Sequence, residues 1–212
     1  MNRHLAGLFS LALTIGFAGC TATQQPAPVM VPPQIDLKER ETIGIIQFAA
    51  TSKSPLGPLA TRRFTEAARR DQGLVRVVDL GSRDEALRSV GHTRLDTDAL
   101  IAIGRKAGVK TIVAGELTVS NVRPDVSVDS LLRSGSVTAQ VDATLDVQMY
   151  EAESGAALWN RSARTTHSVG QVQVAGGKFA FGARDPEEAY GGLVDDLVAQ
   201  VSRPFQASWL RP

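Results

Sequence analysis

Val137-Thr138-Ala139-Gln140-Val141-Asp142-Ala143-Thr144-Leu145-Asp146-Val147-Gln148-Met149 decides how this chain folds. Every odd position is apolar and every even one polar, the period of a long strand with one buried face. Glu153-Ser154-Gly155 supplies a turn into a second run, Ala156 to Thr166, so the two strands form a hairpin. A hairpin with one apolar face needs helices or further strands to cover it.

Both directions along the chain provide them. Toward the amino terminus, Ile43 to Phe48 reads as a short buried strand. Leu56, Ala60, Phe64, Ala67 and Ala68 recur at helical spacing, with Arg62, Arg63, Glu66, Arg69 and Arg70 mostly on the other side. Gly73 ends that helix and Leu74 to Val78 makes a second strand. Ser82 to Val90 suits a short helix. Asp96 or Thr97 caps a clearer one through Leu100, Ile101, Ile103 and Ala107, closed by Gly108. Thr111 to Val119 is a third strand. Toward the carboxyl terminus, Val172, Val174, Phe179 and Phe181 flank Ala175-Gly176-Gly177-Lys178, which predicts a small hairpin over Gln171 to Phe181. Asp185-Pro186-Glu187-Glu188 then opens a helix with a carboxylate cap, proline at the first position and glutamate three after the cap. Tyr190, Leu193, Val194, Leu197, Val198 and Val201 form its apolar stripe, and Pro204 stops it. The expected fold is α/β, a mixed central sheet in the order β-α-β-α-β-β-β-α packed by helices, occupying residues 41–212 as one domain.

The start of the chain has a different character. Met1-Asn2-Arg3-His4 is a short basic opening, Leu5 to Ala18 carries no charge, and Phe17-Ala18-Gly19-Cys20 closes the segment. An apolar run too brief to span a bilayer, ending in small residues, describes an export signal, not a transmembrane helix. Cys20 is the single cysteine of the chain, so no disulfide can form within it and the core alone must hold the fold. The segment resembles the lipobox of bacterial lipoproteins, with Phe17 where that box usually has leucine. The resemblance implies a signal peptide over residues 1–19, cleavage before Cys20 and lipid attachment at Cys20. Thr21 to Arg40 follows with Pro26, Pro28, Pro32 and Pro33 among Thr, Gln and Ala, which predicts a semi-extended tether over 20–40. Thr21 is not aspartate; by similarity to enterobacterial sorting this implies the outer membrane, with the domain facing the periplasm.

The charge balance narrows the partners. The whole chain has 23 basic and 22 acidic side chains, and removal of residues 1–19 takes away only Arg3. With no electrostatic surplus and no basic run, nucleic acid is excluded as the expected partner.

The pattern of the domain is similar to the periplasmic domain shared by the curli-secretion lipoprotein CsgG, the penicillin-binding-protein activator LpoB and the amino-terminal domain of TolB. The residues that carry the resemblance are Thr42 to Phe48, Leu74 to Val78, Asp98 to Glu116 and Leu145 to Trp159. It spans about residues 42 to 203 and implies a membrane-proximal, periplasmic setting in which such domains bind and assemble other proteins. It offers no catalytic residue to carry over.

The search for chemistry finds no G-x-S-x-G, H-E-x-x-H or Walker loop. No catalytic, cofactor-binding or metal-ligating residue is expected, and the chain is read as not an enzyme. Gly115 within a strand is best read as close backbone packing. His92 and His167 are read as solvated, and Asp195-Asp196 as the wet face of the last helix, since adjacent helical residues point about 100° apart. Three functions stay open. The first is a lipid-anchored accessory or assembly protein that binds an envelope or periplasmic protein partner, compatible with a homo-oligomer. The second is a subunit of a CsgG-like oligomeric outer-membrane secretion channel. There, Val122, Val126, Val128 and Leu132, alternating with Arg123, Asp125, Asp129 and Arg133, would face lipid from inserted hairpins between residues 119 and 184. The third is an enzyme whose site is assembled from distant residues.

Overall fold

A computed structural model of the chain describes residues 27–51, 54–125, 137–175, 178–181 and 185–210. The signal segment, Cys20, and Val126, Val128, Asp129, Leu132 and Arg133 lie outside the described residues. The described part forms a two-stranded ribbon and a seven-stranded sheet. The strands are β1 (Val29–Val31), β2 (Thr42–Gln47), β3 (Ala49–Ala50), β4 (Arg76–Ser82), β5 (Thr111–Asp125), β6 (Val137–Glu151), β7 (Ala157–Ala175), β8 (Lys178–Phe181) and β9 (Ser208–Leu210). The helices are α1 (Leu56–Arg69), α2 (Arg83–Ser89), α3 (Thr97–Ala107) and α4 (Pro186–Val201). The main sheet runs β4-β2-β5-β6-β7-β8, with β3 paired to β5. Its first half is parallel and its second half an antiparallel meander. This is the mixed sheet packed by helices that the sequence predicts.

Local chemistry sets the helix ends. Asp185 accepts hydrogen bonds from the Glu187 and Glu188 amides ahead of Pro186. Asp96 accepts from Ala99 N, and Gly108 closes α3 with φ of 64°, a left-handed geometry natural to glycine. Ser82 and Glu85 form a reciprocal capping box for α2.

The sheet buries both faces, unequally. On one side α1 and α4 cover Ile43, Ile45, Val113, Leu117 and the odd-numbered residues of β6 from Ala139 to Met149. Leu193 and Leu197 are fully buried there. An aromatic chain runs through this core: Phe48 to Phe64 at 5.4 Å, Phe64 to Phe205 at 5.7 Å and Phe205 to Trp159 at 5.0 Å between ring centroids. On the other side α2 and α3 cover only the parallel half, over Ile46, Ile112 and Ala114. Close approach explains two glycines. A Cβ on Gly57 would fall 2.2 Å from the Phe48 carbonyl oxygen, and one on Gly115 would meet the Phe48 ring at 2.8 Å.

Several expected boundaries move. The second strand runs Arg76–Ser82 instead of Leu74 to Val78, because pairing with β2 from Thr42↔Arg76 to Gln47↔Ser82 sets its extent. Leu74 is left outside it, fully exposed. β5 continues to Asp125 through an irregularity between Ser120 and Arg123, where Asn121 has φ of 49°. Pro124 sits within this strand, in register opposite Ala139. Gln171 to Ala175 is the end of β7, onto which β8 folds, and not a separate arm; Gly176 and Gly177 lie outside the described residues.

The expected tether is, in its described part, attached to the domain. β1 pairs with β9 through Val29↔Leu210, Met30↔Trp209 and Val31↔Ser208. Ile35 N donates to Pro204 O at 3.0 Å, and Leu37 is 4% exposed within the main core. The side chain of Gln72, 1% exposed, completes the attachment. Its Oε1 accepts from Leu37 N at 2.8 Å, and its Nε2 donates to Ile35 O at 2.9 Å and Phe205 O at 2.6 Å. The physical reason is that Leu37 is worth burying and the backbone around it finds partners in Gln72, which a proline count cannot register.

Candidate functional site: a groove beside an edge strand

β4 is the outermost strand of the parallel half, and among the described residues it pairs only with β2. Val78 and Leu80 pack into the core beneath α2 and α3. On the opposite face α1 lies over β2, β3 and β5, so Val77 and Asp79 look into an open groove of about 620 Å³. Its floor is Ile45 and Val77; its helical wall carries Pro58, Thr61, Arg62, Thr65, Glu66, Arg69 and Arg70.

The wall is the wet face of α1 that the helical spacing predicts, and its three arginines differ in their partners. Arg62 pairs with Glu187 of α4. Neither Arg69 nor Arg70 has an ion-pair partner among the described residues, and both are exposed. An apolar floor with a cationic wall, beside a strand edge whose outward N–H and C=O groups lack a ladder partner, matches an extended peptide that adds a strand and seats alternate side chains.

Other polar clusters have internal duties. Arg63 bonds Glu187 at 2.7 Å and approaches Asp195 at 3.5 Å, tying α1 to α4. His167 is not simply solvated: its Nδ1 lies 3.2 Å from Asp196 Oδ2, and its ring sits over Gly192, where a Cβ would meet Nε2 at 2.7 Å. Asp195 and Asp196, though exposed, thus each hold a partner, and the 29 residues separating His167 from Asp196 hide this from a local reading. His92 remains in a loop with Nδ1 3.9 Å from Asp96 Oδ1. On the open face of the meander, Asp142 accepts from both guanidinium nitrogens of Arg123 at 3.1 and 2.9 Å, from Thr166 at 2.7 Å and from Asn121 at 3.0 Å. Those donors hold its carboxyl well below the usual carboxylate range, Arg123 first. The cluster pins the β5 irregularity to β6 and β7.

Val122 packs against the main core, as do Ala139, Val141 and Val169. The described bases of the long strands therefore spend their apolar face inside the domain. Among the described residues, no group of three or more His, Cys, Asp or Glu stands close enough to hold a metal, and no helix is long and apolar enough to cross a membrane. Cys20 lies outside the described residues, so its expected lipid attachment has no geometry here.

No protein-family model matches the chain, and no curated protein does. Among solved structures, the chain is similar to a PelC dodecamer from Paraburkholderia phytofirmans, 14% identical, covering 85% of this chain and 96% of that one with a TM-score of 0.43. Lipoprotein GNA1162 from Neisseria meningitidis is 15% identical over 60% of this chain and 83% of its own, at a TM-score of 0.37. The LpoB C-terminal domain from Escherichia coli is 14% identical over 60% and 84%, at 0.33. At these identities and scores the likeness assigns neither a family nor a function to the chain.

Proposed function

We propose that this chain is a lipid-anchored accessory or assembly protein of the cell envelope, held at the outer membrane through Cys20 and facing the periplasm. It binds a protein partner and catalyses no reaction. The groove beside β4 is its binding surface. The observation that carries the reading is the coincidence, at one place, of an apolar floor, a strand edge without a ladder partner and the exposed Arg69 and Arg70 without an ion-pair partner, both among the described residues. A partner segment suited to it is extended, with apolar residues alternating with Asp or Glu. The export signal and lipobox in the sequence support the setting. The burial of Val141 and Val169 in the domain's own core, with Val122 packed against it, favours this reading over a membrane-inserted channel.

The test is site-specific photocrosslinking in cells of the source type. A photoreactive residue at Asp79 is expected to give a discrete protein adduct that is lost on adding Arg69→Glu and Arg70→Glu. The same probe at Glu153, in a hairpin turn that does not line the groove, is expected to give none. An adduct at Glu153 and none at Asp79 would move the binding surface elsewhere.

A further inference from the structure

The β1–β9 ribbon joins the two ends of the described chain, and the groove makes no use of it. Val29 is 59% exposed, Met30 55%, Trp209 65% and Leu210 61%. Those four make up most of the strongly exposed large apolar residues among the described ones; the others are Leu74 and Leu158. The register places Met30 opposite Trp209 and Val29 opposite Leu210. Neighbouring residues of a strand point to opposite faces, so both faces of the ribbon are apolar. A two-stranded ribbon is marginal in water by itself, yet this one is held at its base by Gln72, by Ile35 N on Pro204 O and by Ala207 N on Asp71 Oδ2 at 3.0 Å.

Its place in the chain points to what covers it. Val29 lies nine positions after Cys20, a reach of at most about 30 Å fully extended. From Thr21 to Ile35 the sequence has no charged residue. A tryptophan with an apolar body and one N–H is the side chain best suited to the boundary between lipid and water. A second copy is the poorer occupant. Six strand residues present far less than the roughly 800 Å² per partner of a stable dimer.

We infer that the β1–β9 ribbon rests on the bilayer to which the chain is anchored, with Trp209 and Met30 in the interfacial layer, as a second membrane contact that orients the domain. This rests on the lipid-anchor reading, and the test separates the two. The full-length gene carrying Trp159→Phe leaves Trp209 as the single tryptophan. The protein it yields, as processed by its host, is weighed by intact-mass spectrometry for acylation at Cys20 and mixed with phosphatidylethanolamine–phosphatidylglycerol vesicles. Quenching of Trp209 is read with lipids brominated near the headgroup end of the acyl chain and with aqueous iodide.

The expected result is strong quenching by the brominated lipid and protection from iodide, both lost when Met30→Asp and Leu210→Asp are added with the circular dichroism unchanged. If the protein proves unacylated, the same quenching sustains the ribbon contact and the anchor reading fails alone. In that case Trp209→Ser is expected to weaken vesicle partitioning roughly tenfold. An acylated protein whose Trp209 stays open to iodide on vesicles overturns the ribbon contact and leaves the anchor standing. An unacylated and unquenched protein overturns both. Protection from iodide and from brominated lipid alike, rising with protein concentration, overturns it in favour of a second copy.

Discussion

Replacement of Gln72 by leucine tests how the ends of the domain are fixed. The side chain is buried and its three bonds reach Leu37 N, Ile35 O and Phe205 O. Leucine fits the volume but leaves one amide and two carbonyls without their partner. A buried donor or acceptor left unmade costs about 1–3 kcal/mol. Leu37 N and Phe205 O are in buried bonds and Ile35 O in a part-buried one, and carbonyls tolerate the loss better than amides. The sum is about 2–5 kcal/mol, a large share of the 5–15 kcal/mol that holds an ordinary domain. Glutamate is expected to do no better. It keeps an acceptor for Leu37 N but sets a carboxylate against two carbonyl oxygens. Urea unfolding reads the effect: with a slope near 2 kcal/mol/M, the midpoint of Gln72→Leu falls by about 1–2.5 M. The exposed Gln140→Leu serves as the control, expected within about 0.5 kcal/mol of the parent. Hydrogen exchange at the Leu37 amide is expected to lose its protection in the variant. A midpoint unchanged in Gln72→Leu, with the Leu37 amide already exchanging freely in the parent, would show that residues 29–40 are not part of the domain.

Leu197, fully buried beneath α4, is expected to cost about 2–5 kcal/mol when changed to alanine, measured by thermal melting; an unchanged melt would mean that α4 is not packed on the sheet. Asp142 has a folded-state pKa held below its ordinary value, so the stability it contributes is fully present above about pH 4 and is lost as pH falls through the folded value. Asp142→Asn is therefore expected to be less stable than the parent at neutral pH, with the gap closing below about pH 4; a gap independent of pH would assign the effect to packing alone. Cys20→Ser is expected to abolish incorporation of radiolabelled palmitate, because the acyl group requires the thiol; retained label would end the lipoprotein reading.

Some of this protein is written in short stretches of its sequence. The alternation from Val137 to Met149 specifies a strand with one buried face, whatever lies on it. Asp185-Pro186-Glu187-Glu188 starts a helix because the capping bonds reach only two or three residues along the chain. Asp96 and Gly108 bound α3 in the same local way. The stripe from Tyr190 to Val201 marks what must be covered, and the sheet covers it. The tertiary structure alone decided the rest. Gln72 looks like any polar residue before a glycine, yet its bonds cross 35, 37 and 133 residues of sequence. The groove exists because β4 falls at the edge of the sheet order and α1 lies over its neighbours. Trp209 and Met30 stand together only because β1 pairs with β9. Periodicity and capping act over one or two turns of chain; strand order, edges and the meeting of distant backbone groups follow from which buried surfaces find each other, and no window of sequence contains that.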